Sequence, residues 1–473
     1  MKNLNLVRVY VFAILVIFTS CNPENTPGIF YNLSTNGSTL TLEKGFDFSL
    51  GNITALAERR GVVLRNVSKL IIECEMTSTQ LSQLKGLNTN EKTGILPNLE
   101  SISLLNEIKE IPGSCFYALS GEANAPNTWL KEFHAPNVEY IGSGAFSCCS
   151  NLVTVEFPKV TSIGYAAFSQ CSSLEVAKFP QARTIRAEGF FLCSNLTTID
   201  FPQVNIIENL VFSDCSSLIT ADFPLVFLIG DEAFAYCVDL TTVNLPKVTT
   251  IGEHAFIACE SLVEADFPVA NKVGERAFDG CLNLTTVNLP GVTTIGARAF
   301  SACERLIAAD FPVANEIGDR AFDGCVGLTK AIFPLAVEIG DQAFYGCHEL
   351  TEVKFSDVRI IGNYAFYGCN NLSTIEFPKV TAIGGGAFSH CSNLATVEFP
   401  NVTTIGSSIF YDCSGLITVK FGAPITNYSD FDGIYAENID LYLGEVEYGL
   451  ATGDPKSEWR GPTWKSISLY VQE

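Results

Sequence analysis

The stretch that decides the fold is LSTIEFPKVTAIGGGAFSHCSN, residues 372–393, because the chain repeats it almost without interruption. Leu returns every 22 residues from Leu130 through Leu152 and Leu174 to Leu416, fourteen times. Phe keeps the same period from Phe146 to Phe410, thirteen times, and Cys from Cys149 to Cys413, also thirteen. The consensus is L-x-x-V-x-F-P-x-V-x-x-I-G-x-x-A-F-x-x-C-x-x, with Ile375 in the first Val slot of the quoted copy. Residues 240–281 and 284–325 are close copies at a spacing of 44, which implies growth by duplication of repeat pairs. A fixed period of this length is the signature of a solenoid.

Each 22-residue coil has a physical reading. L-x-x-V-x-F is extended, with Leu, Val and Phe turned inward and the fifth position outward. Pro follows in most copies (Pro158, Pro180, Pro224) and ends the ladder, since it has no N–H to donate. A second extended piece, V-x-x-I, meets Gly164, Gly230 or Gly252, a residue type suited to a left-handed turn. Arg186 and Glu208 occupy that slot in two copies. A-F-x-x-C fits one helical turn, with Ala, Phe and Cys on one side. A single coil cannot bury its apolar face; stacked coils can. At about 4.8 Å per coil, fourteen coils would make a rod or arc of roughly 65–70 Å. The expected fold is therefore an α/β-type repeat solenoid, a right-handed superhelix with one short strand and one short helical turn per coil.

The unit resembles the BspA-type leucine-rich repeat, whose pattern reads I-G-x-x-A-F-x-x-C-x-x-L-x-x-I-x-I-P. Gly384 to Leu394, continuing to Phe399-Pro400, matches it, with Val397 and Phe399 in place of the two later Ile. The resemblance covers residues 99–421 and implies a surface-exposed or secreted adhesin that binds extracellular or cell-surface proteins. It implies no shared catalytic residues.

The ends are built differently. Residues 1–20 carry Lys2 and Arg8, an apolar run from Val9 to Phe18, then Thr19 and Ser20 before Cys21. This is the pattern of a secretory signal, with a run too short for a permanent bilayer span. Ile17 to Cys21 resembles a relaxed lipobox, which makes Cys21 the candidate lipidation site; an ordinary cleaved signal is the alternative. Cleavage there leaves 27 basic against 51 acidic side chains. Residues 21–27 read as a tether and 28–98 as an N-terminal cap, with helices expected at 54–60 and 79–87 and a strand at 69–75. About eight extra residues between Phe116 and Leu130 predict a protruding loop. Residues 422–473 form a C-terminal cap, with a strand at 438–443 and Trp459 and Trp464 in its core.

Composition limits function. Among 473 residues, 51 are acidic and 29 basic, a formal charge of −22. Without a Lys/Arg-rich stripe this repels phosphate backbones, so no nucleic-acid partner is expected, and the membrane is reached only through the lipid anchor. Four His and no CxxC or HxxxH pair make an ordinary zinc site improbable, and neither a metal nor a cofactor is expected. His134, His254, His348 and His390 fall in different slots, so no general acid/base and nucleophile set emerges, and no enzyme activity is expected. Acidic residues recur in one column, but no D-x-D-x-D loop converges oxygens on calcium. The Cys ladder admits three readings: buried thiols, favoured because free Cys behaves as a small hydrophobe; scattered disulfides, which an exported protein permits; and metal or redox chemistry. Cys148, at a nominally outward position, is the expected reactive thiol.

Two surface columns remain. One is the outward strand face: Thr198, Thr220, Thr242 and Thr286 at the third position, and Asp200, Asp222, Asn244, Asp266, Asn288 and Asp310 at the fifth. It is either a recognition face or a solvated β-surface. The other is aromatic: Tyr345, Tyr367 and Tyr411, in the slot after the ladder Phe, either anchor a protein or glycan partner or fill a turn. The expected function is a non-catalytic, adhesin-like binding protein, lipid-anchored in a bacterial envelope, on the outer membrane and surface-exposed. The alternatives are a glycan-binding accessory lipoprotein and a structural envelope protein.

Overall fold

The computed structural model describes residues 31–33, 38–42, 48, 52–53, 64–88, 95–117, 126–425, 427–428, 433–444 and 464–469. The signal segment, Cys21, the tether, the helix expected at 54–60 and Trp459 lie outside the described residues. So does most of the inserted loop, 118–125.

The repeats stack as a parallel β-solenoid. Each regular coil contributes two short strands, such as Thr154–Glu156 and Ser162–Ile163, and each pairs in register with its equivalent 22 residues away. The strands of the V-x-x-I piece form one continuous sheet of fifteen, from Glu110–Ile111 to Asn427–Tyr428. The L-x-x-V-x-F strands form a second face, divided into shorter sheets. The first three breaks fall where a half-buried Ile199, Val243 or Val287 precedes a coil bearing Ala221, Ala265 or Ala309 in the same slot. This is the 44-residue superperiod expressed in the core: Val243 and Val287 go with Leu245 and Leu289, while Ala265 and Ala309 go with Phe267 and Phe311. The small and large side chains compensate in volume, as close packing demands.

The predicted inward residues are buried, apart from the half-buried Ile199, Val243, Val287 and Val353 of the first Val slot: Leu, Phe, Val, Ile, Ala and Cys of the repeat form one contiguous core. The second Phe of each coil builds a continuous column from Phe116 to Phe410. Neighbouring rings such as Phe256 and Phe278 lie 5.3 Å apart and nearly parallel. Offset-stacked pairs contribute about 0.5–1.5 kcal/mol each beyond area burial.

The A-F-x-x-C segment is not a helical turn. Its N–H groups alternate between two destinations. His254, Phe256 and Ala258 donate to Glu275, Ala277 and Asp279 of the next coil at 2.7–2.8 Å, while Ile257 and Cys259 donate three residues back. A helix would spend these donors inside the segment; here half of them form a third inter-coil ladder. The geometry places the fifteenth and nineteenth positions in the left-handed region, as at His254 (φ 55°) and Ala258 (φ 54°). Such residues cost about 1–2 kcal/mol each without glycine, and the ladder offsets that cost.

The slot-thirteen glycines are not left-handed either. They serve close approach: a Cβ on Gly274 would stand 2.6 Å from the carbonyl carbon and oxygen of Gly252. Arg186 and Glu208, the two exceptions, sit on consecutive coils and pair with each other, Nη1 to Oε1 at 3.0 Å.

All sixteen described cysteines are free and buried. The thirteen ladder thiols share one contact. Each lies within hydrogen-bonding reach of the carbonyl of the ladder Phe one coil earlier, as Cys259 donates to Phe234 at 3.1 Å. Burial pushes these thiols up, Cys413 to about 12. Cys148 departs from expectation. It is 2 % exposed, because the end of the inserted loop folds over it and the Asn127 N–H donates to its carbonyl at 2.7 Å. Asn127 also caps the loop, its side-chain oxygen accepting from the N–H groups of Trp129 and Leu130.

Both ends extend the strand ladder. Thr39–Leu42, Lys69–Ile72 and Ser101–Leu104 stack in parallel ahead of the regular coils, and Tyr31–Leu33 pairs antiparallel at the edge. The helix expected at 79–87 is a short helix, Ser78–Leu81, with a Thr77–Gln80 capping box, followed by a 3-10 turn, Leu84–Gly86. At the other end Asp440–Leu443 and Ser466–Leu469 continue the parallel order, and Trp464 is buried.

Candidate functional site

The strand face is built by position, since a β-strand alternates its side chains between faces. The first Leu, the Val and the first Phe point into the core, which leaves the third and fifth residues outward. All ten residues predicted for this face are exposed, and they stand in two straight columns. Thr220 is in register with Thr242, and Asp222 with Asn244; likewise Glu264 with Thr286, and Asp266 with Asn288.

The columns are not a string of bare carboxylates. The Asn244 amide donates to Asp222 at 2.8 Å and the Asn288 amide to Asp266 at 2.7 Å. Alternation of Asn with Asp therefore gives each of these carboxylates a neutral donor, which reduces the like-charge penalty of stacking. Asp200 and Asp310 carry no such partner among the described residues.

The threonines divide by position. Those in the second slot tie their hydroxyls to the preceding coil: Thr241 donates to the Ile219 carbonyl at 3.1 Å and Thr285 to Val263 at 3.1 Å. Thr220, Thr242 and Thr286 form no side-chain hydrogen bond among the described residues. Second-slot threonines thus serve the stack, and these three leave their hydroxyls to solvent or a partner, whereas the Thr198 hydroxyl lies 3.5 Å from that of Thr197.

One set of residues on this face went unread in the sequence. Ile219, Val263 and Ile307 are 49 %, 46 % and 53 % exposed and alternate with the second-slot threonines. They lay an apolar strip beside the polar columns, and the 44-residue alternation is the signal that marks them.

The aromatic residues form a separate cluster on the turn edge. Tyr345 and Tyr367 stack at 4.6 Å with rings 2° apart. Ser389 takes the next slot, and His390 bridges instead, 4.8 Å from Tyr367 and 5.5 Å from Tyr411. Asp412 closes the cluster, accepting from Tyr435 at 3.1 Å and lying 3.1 Å from His390 Nδ1. Tyr364, whose ring lies 6.1 Å from that of Tyr367, comes from another slot, as do His390, Asp412 and Tyr435, so column reading missed them. Because Tyr345 and Tyr367 cover each other's faces, the cluster offers edges and hydroxyls more than open ring platforms.

Among the described residues no group of three or more His, Cys, Asp or Glu is placed to hold a metal ion, and no helix is long and apolar enough to cross a membrane.

Parallel coils, inward Leu and a repeated turn define a leucine-rich-repeat solenoid, a fold that is typically non-catalytic. The chain belongs to the BspA type leucine rich repeat region family, whose model matches residues 125–237, 227–338 and 315–432 in six copies. Solved structures with a similar fold include a leucine-rich repeat protein from Bacteroides ovatus, 26 % identical over 59 % of this chain and 92 % of that one, at a TM-score of 0.42. Another is a leucine rich cell surface protein from Faecalibacterium prausnitzii, 21 % identical over 85 % of this chain and 96 % of that one, at 0.35. A third is a leucine-rich repeat protein from Eubacterium ventriosum, 19 % identical over 77 % and 93 %, at 0.36. Comparison with curated proteins gives no match.

Proposed function

We propose that the protein is a non-catalytic, adhesin-like binding protein, held in a bacterial envelope through lipid on Cys21 and displayed at the cell surface. It presents the strand face from Thr198 to Asp310 to an extracellular or cell-surface protein of a host or neighbouring cell. The observation that carries this reading is the division among the threonines. Slot geometry sets which hydroxyls reach a carbonyl, and it leaves those of Thr220, Thr242 and Thr286 open beside the Asp columns and the exposed Ile219, Val263 and Ile307. Polar hydrogen-bonding groups flanked by apolar contact area are what a protein interface uses. The unpaired Asp200 and Asp310 favour a basic partner, with their effect mainly on encounter rate.

The test replaces Asp200, Asp222, Asp266 and Asp310 by Asn and measures association with immobilised extracellular-matrix and cell-surface proteins. Slower association and a flatter salt dependence, with the fold intact, are expected. An association rate unchanged at low salt removes the column from the binding surface. Release of a Cys21→Ala variant from the membrane fraction tests the anchor separately.

A further inference from the structure

At its N-terminal end the same strand face sinks into a trough of about 540 Å³, lined by Lys69, Ser101, Ser103, Glu132, His134 and Thr154 among others. Its origin is a change of residue size. Along the third-position column, Lys69 is in register with Ser101, Ser101 with Glu132 and Glu132 with Thr154; along the fifth, Ser103 is followed by His134 and Glu156. Two short hydroxyls thus form the floor, Ser101 between Lys69 and Glu132 and Ser103 between Ile71 and His134.

Ser101 and Ser103 are each only 8 % exposed although they stand on the outward face. Neither forms a side-chain hydrogen bond among the described residues. Their hydroxyl oxygens keep access to the solvent of the trough, since neither is buried without a partner. Their neighbours do not supply a hydrogen bond. Lys131 is engaged with Glu100 at 2.9 Å and Glu156 with Lys178 at 2.6 Å. That leaves Lys69, Glu132 and His134, also unpaired among the described residues, around two unpaired hydroxyls.

We propose that this trough is a saccharide-binding site, distinct from the central strand face. The composition selects the ligand class by elimination. One unpaired cation, Lys69, is a poor basis for a phosphate site, and one unpaired carboxylate, Glu132, for a divalent cation. The polar floor does not suit an apolar ligand. A sugar ring matches the set: its vicinal hydroxyls donate to the Glu132 carboxylate and accept from the Lys69 ammonium, and the serines can do either. Lys69 and Glu132 stand on strands two apart, roughly 9–10 Å at ordinary strand spacing, with Ser101 between them. The volume lies within the range of about 300–1,000 Å³ usual for small-ligand sites.

The experiment exposes the full-length protein to an array of immobilised hexoses, N-acetylhexosamines, uronic acids and their disaccharides. The wild type should retain at least one saccharide. Glu132→Gln, which keeps the side-chain shape, and Ser103→Leu, which fills the floor, should each weaken that binding at least about tenfold, the scale of a hydrogen bond to a charged group. Tyr367→Ala, in the turn-edge cluster, should bind as wild type does. If Ser103→Leu does not fold, the exposed Glu132→Gln decides. No saccharide held by the wild type, binding indifferent to Glu132→Gln, or binding lost only in Tyr367→Ala would each overturn the assignment. Capture of a protein partner by the central face should persist in Glu132→Gln, so the two surfaces fail or succeed separately.

Discussion

Raising the pH should loosen the solenoid through its cysteine ladder. In the folded chain, burial holds the thiols of Cys259, Cys281, Cys303 and Cys325 neutral, pushing each well above the ordinary thiol range. In the unfolded chain the same groups ionise near pH 8.5. A folded pKa above the unfolded one means that the contribution is fully present below about pH 8.5 and is lost as pH rises towards the folded value. At pH 9.5 each unfolded thiol is favoured by about 1.4 kcal/mol, so four consecutive coils lose roughly 5–6 kcal/mol. The check is urea unfolding followed by circular dichroism from pH 7.5 to 9.5, with a phosphine reductant present. The wild type is compared with a variant carrying Ala at these four positions. The variant should start less stable, by about 1 kcal/mol for each lost thiol hydrogen bond, yet decline less steeply by that same 5–6 kcal/mol. Parallel pH profiles for the two proteins would show that the thiols do not govern alkaline stability, and the ladder argument would fail.

Other outcomes follow from the stacking geometry. Gly274→Ala should lower stability by about 3 kcal/mol, the upper range for overpacking, because its Cβ meets the Gly252 carbonyl group rather than a movable side chain; thermal melting reads the loss. Deleting the 22 residues 284–305 lets similar coils restack, whereas deleting 11 places polar residues where Leu and Phe belong, so only the shorter deletion should expose apolar surface to a reporter dye. Equal melting of the two would contradict the 22-residue unit. At pH 7.5 the native ladder thiols should resist a disulfide reagent that labels them promptly in urea, since the thiolate is the reactive form.

The inward set was legible from the period alone, because Leu, Val, Phe, Ile, Ala and Cys sit at spacings that burial enforces in every coil. The turn was not. A-F-x-x-C has helical spacing, but the donors of His254, Phe256 and Ala258 go to a coil 21 residues away, and local spacing carries no record of that choice. The glycine slot was read as a turn when its constraint is the neighbouring backbone. Cys148 was misplaced because an insertion, not the repeat, covers it. For the strand face, sequence placed all ten side chains in one exposed register; which hydroxyls are tied to the stack depends on the carbonyl geometry of the preceding coil. The trough was invisible, since Lys69, Ser101 and Glu132 lie about thirty residues apart, and Lys69 and Ser101 belong to irregular coils ahead of the 22-residue register.

The three inter-coil ladders have a mechanical consequence. Their hydrogen bonds run along the long axis of the stack, so a pull between the two ends loads them lengthwise and, in the main, one coil boundary at a time. Each boundary that yields would release 22 residues, up to about 75 Å of extended chain, while the coils beyond it stay folded. If one end is fixed to a cell and the other region grips a partner, the molecule can lengthen in steps under drag, dissipating work at each step instead of passing the whole force to the attachment.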